Sequence, residues 1–247
     1  KKFINKPIPG VKNTLIVSSA KGGVGKSTVA VNIAFALQKL GSKVGILDAD
    51  VFGPSLPKML NLKDKPKTED QKKIVPLEKY NTQVMSIGLL VDETAPMIWR
   101  GPMVISAIKT LTEKVSWKNL DFLVIDMPPG TGDTQLTFAQ DIKVDGAIIV
   151  STPQDIALLD VKRGIQMFEK TGIKILGLIN NMSFFKGDDG KKYYIFGEGG
   201  VEKTAKEFNK KVLGNLPLST DLRISAVSGE PLSFKNPGHE ISKEFKE

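Results

Sequence analysis

Between Ser18 and Thr28 the chain reads SSAKGGVGKST, and here residue types and spacing first suggest a definite chemistry. Gly22, Gly23 and Gly25 let successive backbone N–H groups turn inward around an anion. A helix starting at Ser27 adds the positive end of its dipole. Lys26 is spaced to reach the β- and γ-phosphates of a nucleotide, and the Ser27 hydroxyl to bind Mg²⁺. The run Gly22, Gly23, Val24, Gly25, Lys26, Ser27, Thr28 is therefore the predicted nucleotide-binding segment. The pattern G-x-x-x-x-G-K-[ST] is broken at its first position, where Ala20 stands. That is tolerated if this residue needs no left-handed backbone. A glycine-rich turn without a ligand is the bland alternative; the strand–loop–helix context argues against it.

Two acidic stations follow. Leu47-Asp48-Ala49-Asp50 ends an apolar run of strand length, so its carboxylates leave the sheet beside the phosphate loop. Phe122-Leu123-Val124-Ile125-Asp126 is a second apolar strand ending in an acid, and Asp126 is expected to hold Mg²⁺ through water. It continues into Met127-Pro128-Pro129-Gly130-Thr131-Gly132-Asp133, which is either a loop with alternative states that senses a γ-phosphate or a rigid turn. Hydrolysis at such a site needs no covalent protein chemistry. Lysines and Mg²⁺ offset charge on the phosphoryl oxygens while a carboxylate orients water.

The elements that must position these groups are short apolar runs alternating with segments of helical period. Strands are expected at Leu15-Ile16-Val17, 44–47, 83–90, 122–125, 147–150, 175–179 and 212–216. Helices are expected at 27–40, 103–114, 134–140, 156–170, 200–209 and 222–227, with Gly41 capping the first. The pattern predicts an α/β fold: a doubly wound, mostly parallel sheet with helices on both faces. One domain over 1–247 is expected, with an N-terminal arm at 1–13 and a mobile polar insertion at 61–80. The chain opens on Lys1 rather than Met, so residues upstream are also expected.

Composition narrows the classes. The 247 residues are 40% hydrophobic, enough for a substantial core, and no run approaches the roughly 18 apolar residues of a membrane span. The chain has no cysteine, which excludes disulfides and thiolate-bound metals. A net charge of +8 invites nucleic acid, but the lysines are scattered and not interleaved with aromatic residues, so neither nucleic acid nor membrane is expected as a partner. A cytoplasmic home is the default, or the mitochondrial matrix in a eukaryote.

The octapeptide Lys21-Gly22-Gly23-Val24-Gly25-Lys26-Ser27-Thr28 resembles the deviant Walker A signature of dimerising ATPases that include the Min, Par and Mrp/ApbC groups. The resemblance implies that Lys21 reaches across a dimer interface to the partner's nucleotide, that Asp50 orients or activates the attacking water, and that Asp48 supports Mg²⁺. The segments 48–55, 99–103, 126–133, 151–158, Asn181-Met182-Ser183 and Ile195-Phe196-Gly197 together resemble the Mrp/ApbC iron–sulfur cluster carriers, the Ind-type members most closely. This implies a homodimeric, slowly hydrolysing ATPase with nucleotide at its interface, using ATP and Mg²⁺. It would assemble a 4Fe–4S cluster and deliver it to apo iron–sulfur proteins. It also implies that Asn181 recognises adenine beside the turn at Pro217, although an asparagine at a strand end is ordinarily a turn former. Trp99 and Arg100 could form a partner surface, with packing the equal alternative for Trp99; Trp117 and His239 carry no functional argument.

Members of that branch carry a Cys-Pro-x-Cys segment after the Asn-Met-Ser element. Alignment through Phe185 puts Gly187 and Gly190 at those positions, and glycine offers no ligand. Asp188 and Asp189 are hard donors poorly suited to replace soft thiolates. No iron–sulfur ligand is predicted; natural loss, an engineered change or a homologue with ligands elsewhere would explain it, the last least well because the chain has no cysteine. The alternative classes are a ParA-like switch on DNA and a MinD-like switch on membrane.

Overall fold

The computed structural model describes residues 6–70, 72–90 and 101–247. The elements run β1 (Val11–Ser18), α1 (Lys26–Lys39), β2 (Val44–Asp48), α2 (Leu56–Met59), β3 (Thr68–Glu69), β4 (Lys73–Ile74), β5 (Leu77–Lys79) and β6 (Thr82–Ser86). There follow α3 (Gly101–Glu113), β7 (Leu120–Asp126), α4 (Asp133–Asp141), β8 (Gly146–Ser151), α5 (Asp155–Thr171) and β9 (Ile175–Asn180). The last are β10 (Phe185–Lys186), β11 (Lys192–Tyr193), α6 (Gly200–Glu207), β12 (Val212–Asn215), α7 (Thr220–Ser228), α8 (Leu232–Lys235) and α9 (Glu240–Glu244).

An eight-stranded sheet runs β12-β9-β8-β1-β7-β2-β6-β5, parallel throughout except for the antiparallel edge strand β5. Its central strands are continuous apolar runs because helices cover both faces; every residue of β2 and β8 is buried. Successive side chains point to opposite faces and so build two cores. Ile16, Leu47, Leu123, Ile125 and Leu178 join α3 to α6. Val17, Ile46, Val124 and Ile179 join α1, α2 and α7 to α9. Gly45 has a local reason: a Cβ there would lie 2.5 Å from the Leu120 side chain and 3.1 Å from the buried Trp117 ring.

The predicted strands and helices are present with shifted ends. The run 83–90 stops as a strand at Ser86, whose Oγ accepts from Gly88 N and turns the chain into a short 3₁₀ turn. Gly41 adopts φ +95° after α1, as its cap requires. The segment 61–80 carries β3, β4 and β5 although it lacks a sequence period; Tyr80 stacks on Phe234 at 4.1 Å and donates its hydroxyl to Gly229 O. In the N-terminal arm Ile8 is buried in the first core and β1 already begins at Val11. Trp99 and Arg100 lie outside the described residues.

Candidate active site

All the predicted chemistry leaves the C-terminal edge of the parallel sheet. In the order β1-β7-β2, Asp126 ends the strand between the other two; it pairs in register with Val17 on one side and Asp48 on the other. Gly23 and Gly25 take left-handed backbones, φ +79° and +81°, turning the loop into the first turn of α1. Ala20 is not left-handed, so the missing glycine of the motif is no obstacle. A cleft of about 400 Å³ opens here against Gly22, Gly23, Gly25, Lys26, Ser27, Thr28 and Asp50.

Lys26 is the electrostatic centre. Only 6% exposed, it is ion-paired with Asp126 Oδ1 and lies 3.5 Å from Asp50 Oδ2. Asp126 is buried, and burial pushes its carboxyl above the usual range against the opposing pull of Lys26. Its other oxygen, Oδ2, is buried without a hydrogen-bond partner among the described residues. Asp50 is anchored by Phe52 N, which donates to Oδ1 at 3.2 Å.

Asp48 has different surroundings. Its Oδ1 accepts from Asp50 N at 3.1 Å; its Oδ2 accepts from Ser55 N, Leu56 N and Ser86 Oγ at 3.0–3.1 Å. Burial first, then the charge of Asp126, pushes its pKa up to about 7. The carboxyl is the post around which the chain turns from β2 into α2, and α2 brings Lys58 and Met59 to the cleft.

The loop after β7 is locked by Gln135 and by the phosphate loop. Gln135 Nε2 donates to Pro129 O at 2.7 Å, Gly132 N donates to Gln135 Oε1 at 3.1 Å, and Gly130 N donates to Ser19 O at 2.9 Å. Sequence reasoning missed Gln135, though a Gln at the third position of a helix is a capping signal. It also missed Ser55, Lys58, Met59, Ala226 and Val227 on the cleft wall.

Asn181 is buried, and its Nδ2 donates to Val24 O at 2.8 Å. A Cβ at Gly25 would lie 2.3 Å from that nitrogen, so the amide sits directly against the loop. The turn carrying Pro217 is tied to the same strand end: Ser183 N donates to Leu216 O and Leu218 N to Phe184 O. Lys21 is not among the residues lining the cleft; its Nζ lies 3.5 Å from Gln154 Oε1, just before α5. Trp117 is a core residue, and His239 caps α9 by accepting from Ile241 N.

The segment 184–193 is a closed hairpin. Asp189 accepts from Lys191 N at 3.0 Å and Tyr193 Oη at 2.9 Å, and Gly190 takes φ +78°. The chain offers it no thiolate, and among the described residues no cluster of three or more His, Cys, Asp or Glu could hold a metal ion.

A family model described as ParA, NUBPL iron-transfer P-loop NTPase, matches residues 10–247. The chain belongs to that family. The iron–sulfur cluster carrier protein of Aquifex aeolicus is 48% identical over 98% of this chain and 68% of that protein. The cluster transfer protein NUBPL of Mus musculus is 49% identical over 97% of the chain and 76% of its own length. A nucleotide-binding protein from Archaeoglobus fulgidus, solved with ADP, superposes with a TM-score of 0.82 at 35% identity, covering 97% of this chain and 94% of that one. MinD of Pyrococcus furiosus, at 22% identity and a TM-score of 0.68, shares the fold. The NUBPL-family chain is thus a P-loop NTPase of doubly wound α/β type. Among its described residues no helix is long and apolar enough to cross a membrane.

Proposed function

We propose that the chain is an Mg²⁺-dependent ATPase, active as a homodimer with nucleotide at the interface, serving the supply of iron–sulfur clusters to apo-proteins. The observation that carries this reading is Lys26, held between Asp50 and Asp126 under a glycine nest. Backbone N–H groups of residues 22–26 cradle the phosphates, Lys26 moves from the carboxylates to the β- and γ-phosphates, and Asn181 turns its free Oδ1 to adenine near Pro217. The hard oxygen donors Ser27 and Asp126, with the orphaned Asp126 Oδ2, suit Mg²⁺, which when bound supplies positive charge to the phosphoryl oxygens. Asp50 orients water in line with the γ-phosphorus; the new O–P bond forms as the bond to the β-phosphate bridging oxygen breaks, releasing ADP and phosphate. Lys21 stands ready at the edge for the partner's nucleotide. The buried hydrogen bonds of Asp48 support a positioning role for it in place of a metal contact.

Titration of Mg-ATP into the chain and its Lys26→Ala variant tests the reading. Affinity is expected to fall more than a hundredfold, and an unchanged Kd would sink it. Asp50→Ala is expected to bind ATP without turnover.

The cluster is cargo, and the residues do not fit a thiolate-bridged one. Anaerobic reconstitution with iron and sulfide is expected to leave no stoichiometric chromophore. One cluster per dimer would overturn the ligand-loss argument.

A further inference from the structure

Across the sheet from α1, a second polar cavity of about 320 Å³ lies between the end of β9, the start of α6 and the hairpin β10–β11. Strand alternation explains the division. Ile179 faces the α1 core, Leu178 and Asn180 face α6, and Asn181, leaving the strand, returns to the phosphate loop.

Asn180 is only 4% exposed. Its Nδ2 donates to Glu202 Oε1 at 3.2 Å and Asn215 Oδ1 at 2.8 Å, which fixes the orientation of the amide. Its Oδ1 is then left buried with no partner, and Glu202 Oε2 beside it is in the same state. Glu198 and Glu202 both line the cavity, and neither has an ion-pair partner among the described residues. Phe184 and Tyr194 stand edge to face at 6.4 Å on the wall, and the Lys192 ammonium lies 4.3 Å over the Phe184 ring. Water could satisfy one oxygen, but the cavity lining sets a single cation, Lys192, against two carboxylates. The aromatic face suits an organic cation better than a hard metal ion, which asks for six or more oxygens.

We infer that this cavity binds a guanidinium or alkylammonium group, with Glu202 and Asn180 as acceptors and the Phe184 ring as its platform. Lys192 is the internal cation that the ligand displaces. Glu202 is half-buried; its Oε2 is closed off in the free chain, and the side chain turns to bring it to the cavity as the ligand enters. The ligand is either a free amine or an Arg or Lys side chain of a polypeptide.

The test titrates the full chain with N-acetyl-arginine amide and with the peptide Ala-Ala-Arg-Ala-Ala, following Tyr and Phe ring resonances. Saturable shifts are expected for both, at least tenfold weaker for Glu202→Gln and absent with N-acetyl-norleucine amide or Mg²⁺. Lys192→Ala changes an exposed side chain and is expected to bind several-fold more tightly. Tighter binding of the peptide assigns the site to a polypeptide side chain, and equal binding assigns it to a free amine; either supports the inference. It is overturned by failure of both probes to saturate, by equal affinity for the norleucine amide, by unaltered binding in Glu202→Gln, or by weaker binding in Lys192→Ala.

Discussion

Two loops close with left-handed glycines at nearly the same angle, Gly25 at φ +81° and Gly190 at φ +78°, and the resemblance ends there. Gly25 touches Asn181, and its loop is held by bonds from distant chain: Asn181 to Val24, Gly130 to Ser19, and Lys26 to Asp126. Gly190 has open space beside it, and its hairpin is held by its own residues, Asp189 bonding Lys191 and Tyr193. The nucleotide loop is therefore a junction of several strands in which each part constrains the rest. The turn of the hairpin is self-sufficient. A change of chemistry in the hairpin, such as the absence of thiolates, leaves the phosphate site intact.

The strongest blow to the first region is Lys26→Ala. Beyond its effect on nucleotide, it strands Asp126 and Asp50 in a buried site, at a cost of about 3 kcal/mol. Urea unfolding of nucleotide-free protein reads this directly; a loss below 1 kcal/mol would mean that the carboxylates find other partners. Gly25→Ala comes next. The left-handed backbone and the 2.3 Å approach to Asn181 Nδ2 together are expected to cost about 2 kcal/mol and to weaken ATP binding. Wild-type affinity in that variant would mean that Asn181 is not coupled to the loop.

Much of the first region was legible because its parts are local in sequence. The glycine pattern, Lys26 and the acids at strand ends Asp48 and Asp126 each follow an apolar run that marks its own position. The rest depends on chain separation. Ser55 and Lys58 reach the cleft from the short α2, and Val227 from α7, so no periodicity announced them. The position of Asp48 was readable, but its four hydrogen-bond donors were not, because Ser86 arrives from another strand. In the second region β10 and β11 have two residues each, too few to show an alternation, and neither is among the expected strands. β5 escaped for the same reason.

Gly190→Ala gives the matched control for Gly25→Ala. With the same backbone angle and nothing within 4 Å, only the conformational term remains, about 1 kcal/mol, and ATP affinity should stay within twofold. If Gly190→Ala weakened ATP as much as Gly25→Ala, the two loops would be one cooperative unit and the contrast would fail. For the same reason, a cysteine introduced at 190 meets backbone strain, and one at 187 crowds Asp189 and Tyr193 at 2.8 Å.

The smallest effect concerns the long-range side-chain tie of the hairpin, Lys186 to Glu240 on α9 at 3.0 Å. The hydrogen bond and charge of Lys186 lower the Glu240 pKa below its ordinary 4.5. A depressed folded value means that the tie stabilises above the unfolded pKa and is lost as pH falls through the folded one. Because both side chains are about half exposed or more, the contribution is only about 0.3 kcal/mol and is screened by salt. Lys186→Ala is therefore expected to lose that much at pH 7 in low salt, and progressively less as pH falls through the depressed folded pKa of Glu240 and its carboxylate is neutralised. A deficit that persisted in acid, or that reached 1 kcal/mol at neutral pH, would show the hairpin anchored to α9 as firmly as the phosphate loop is to its sheet.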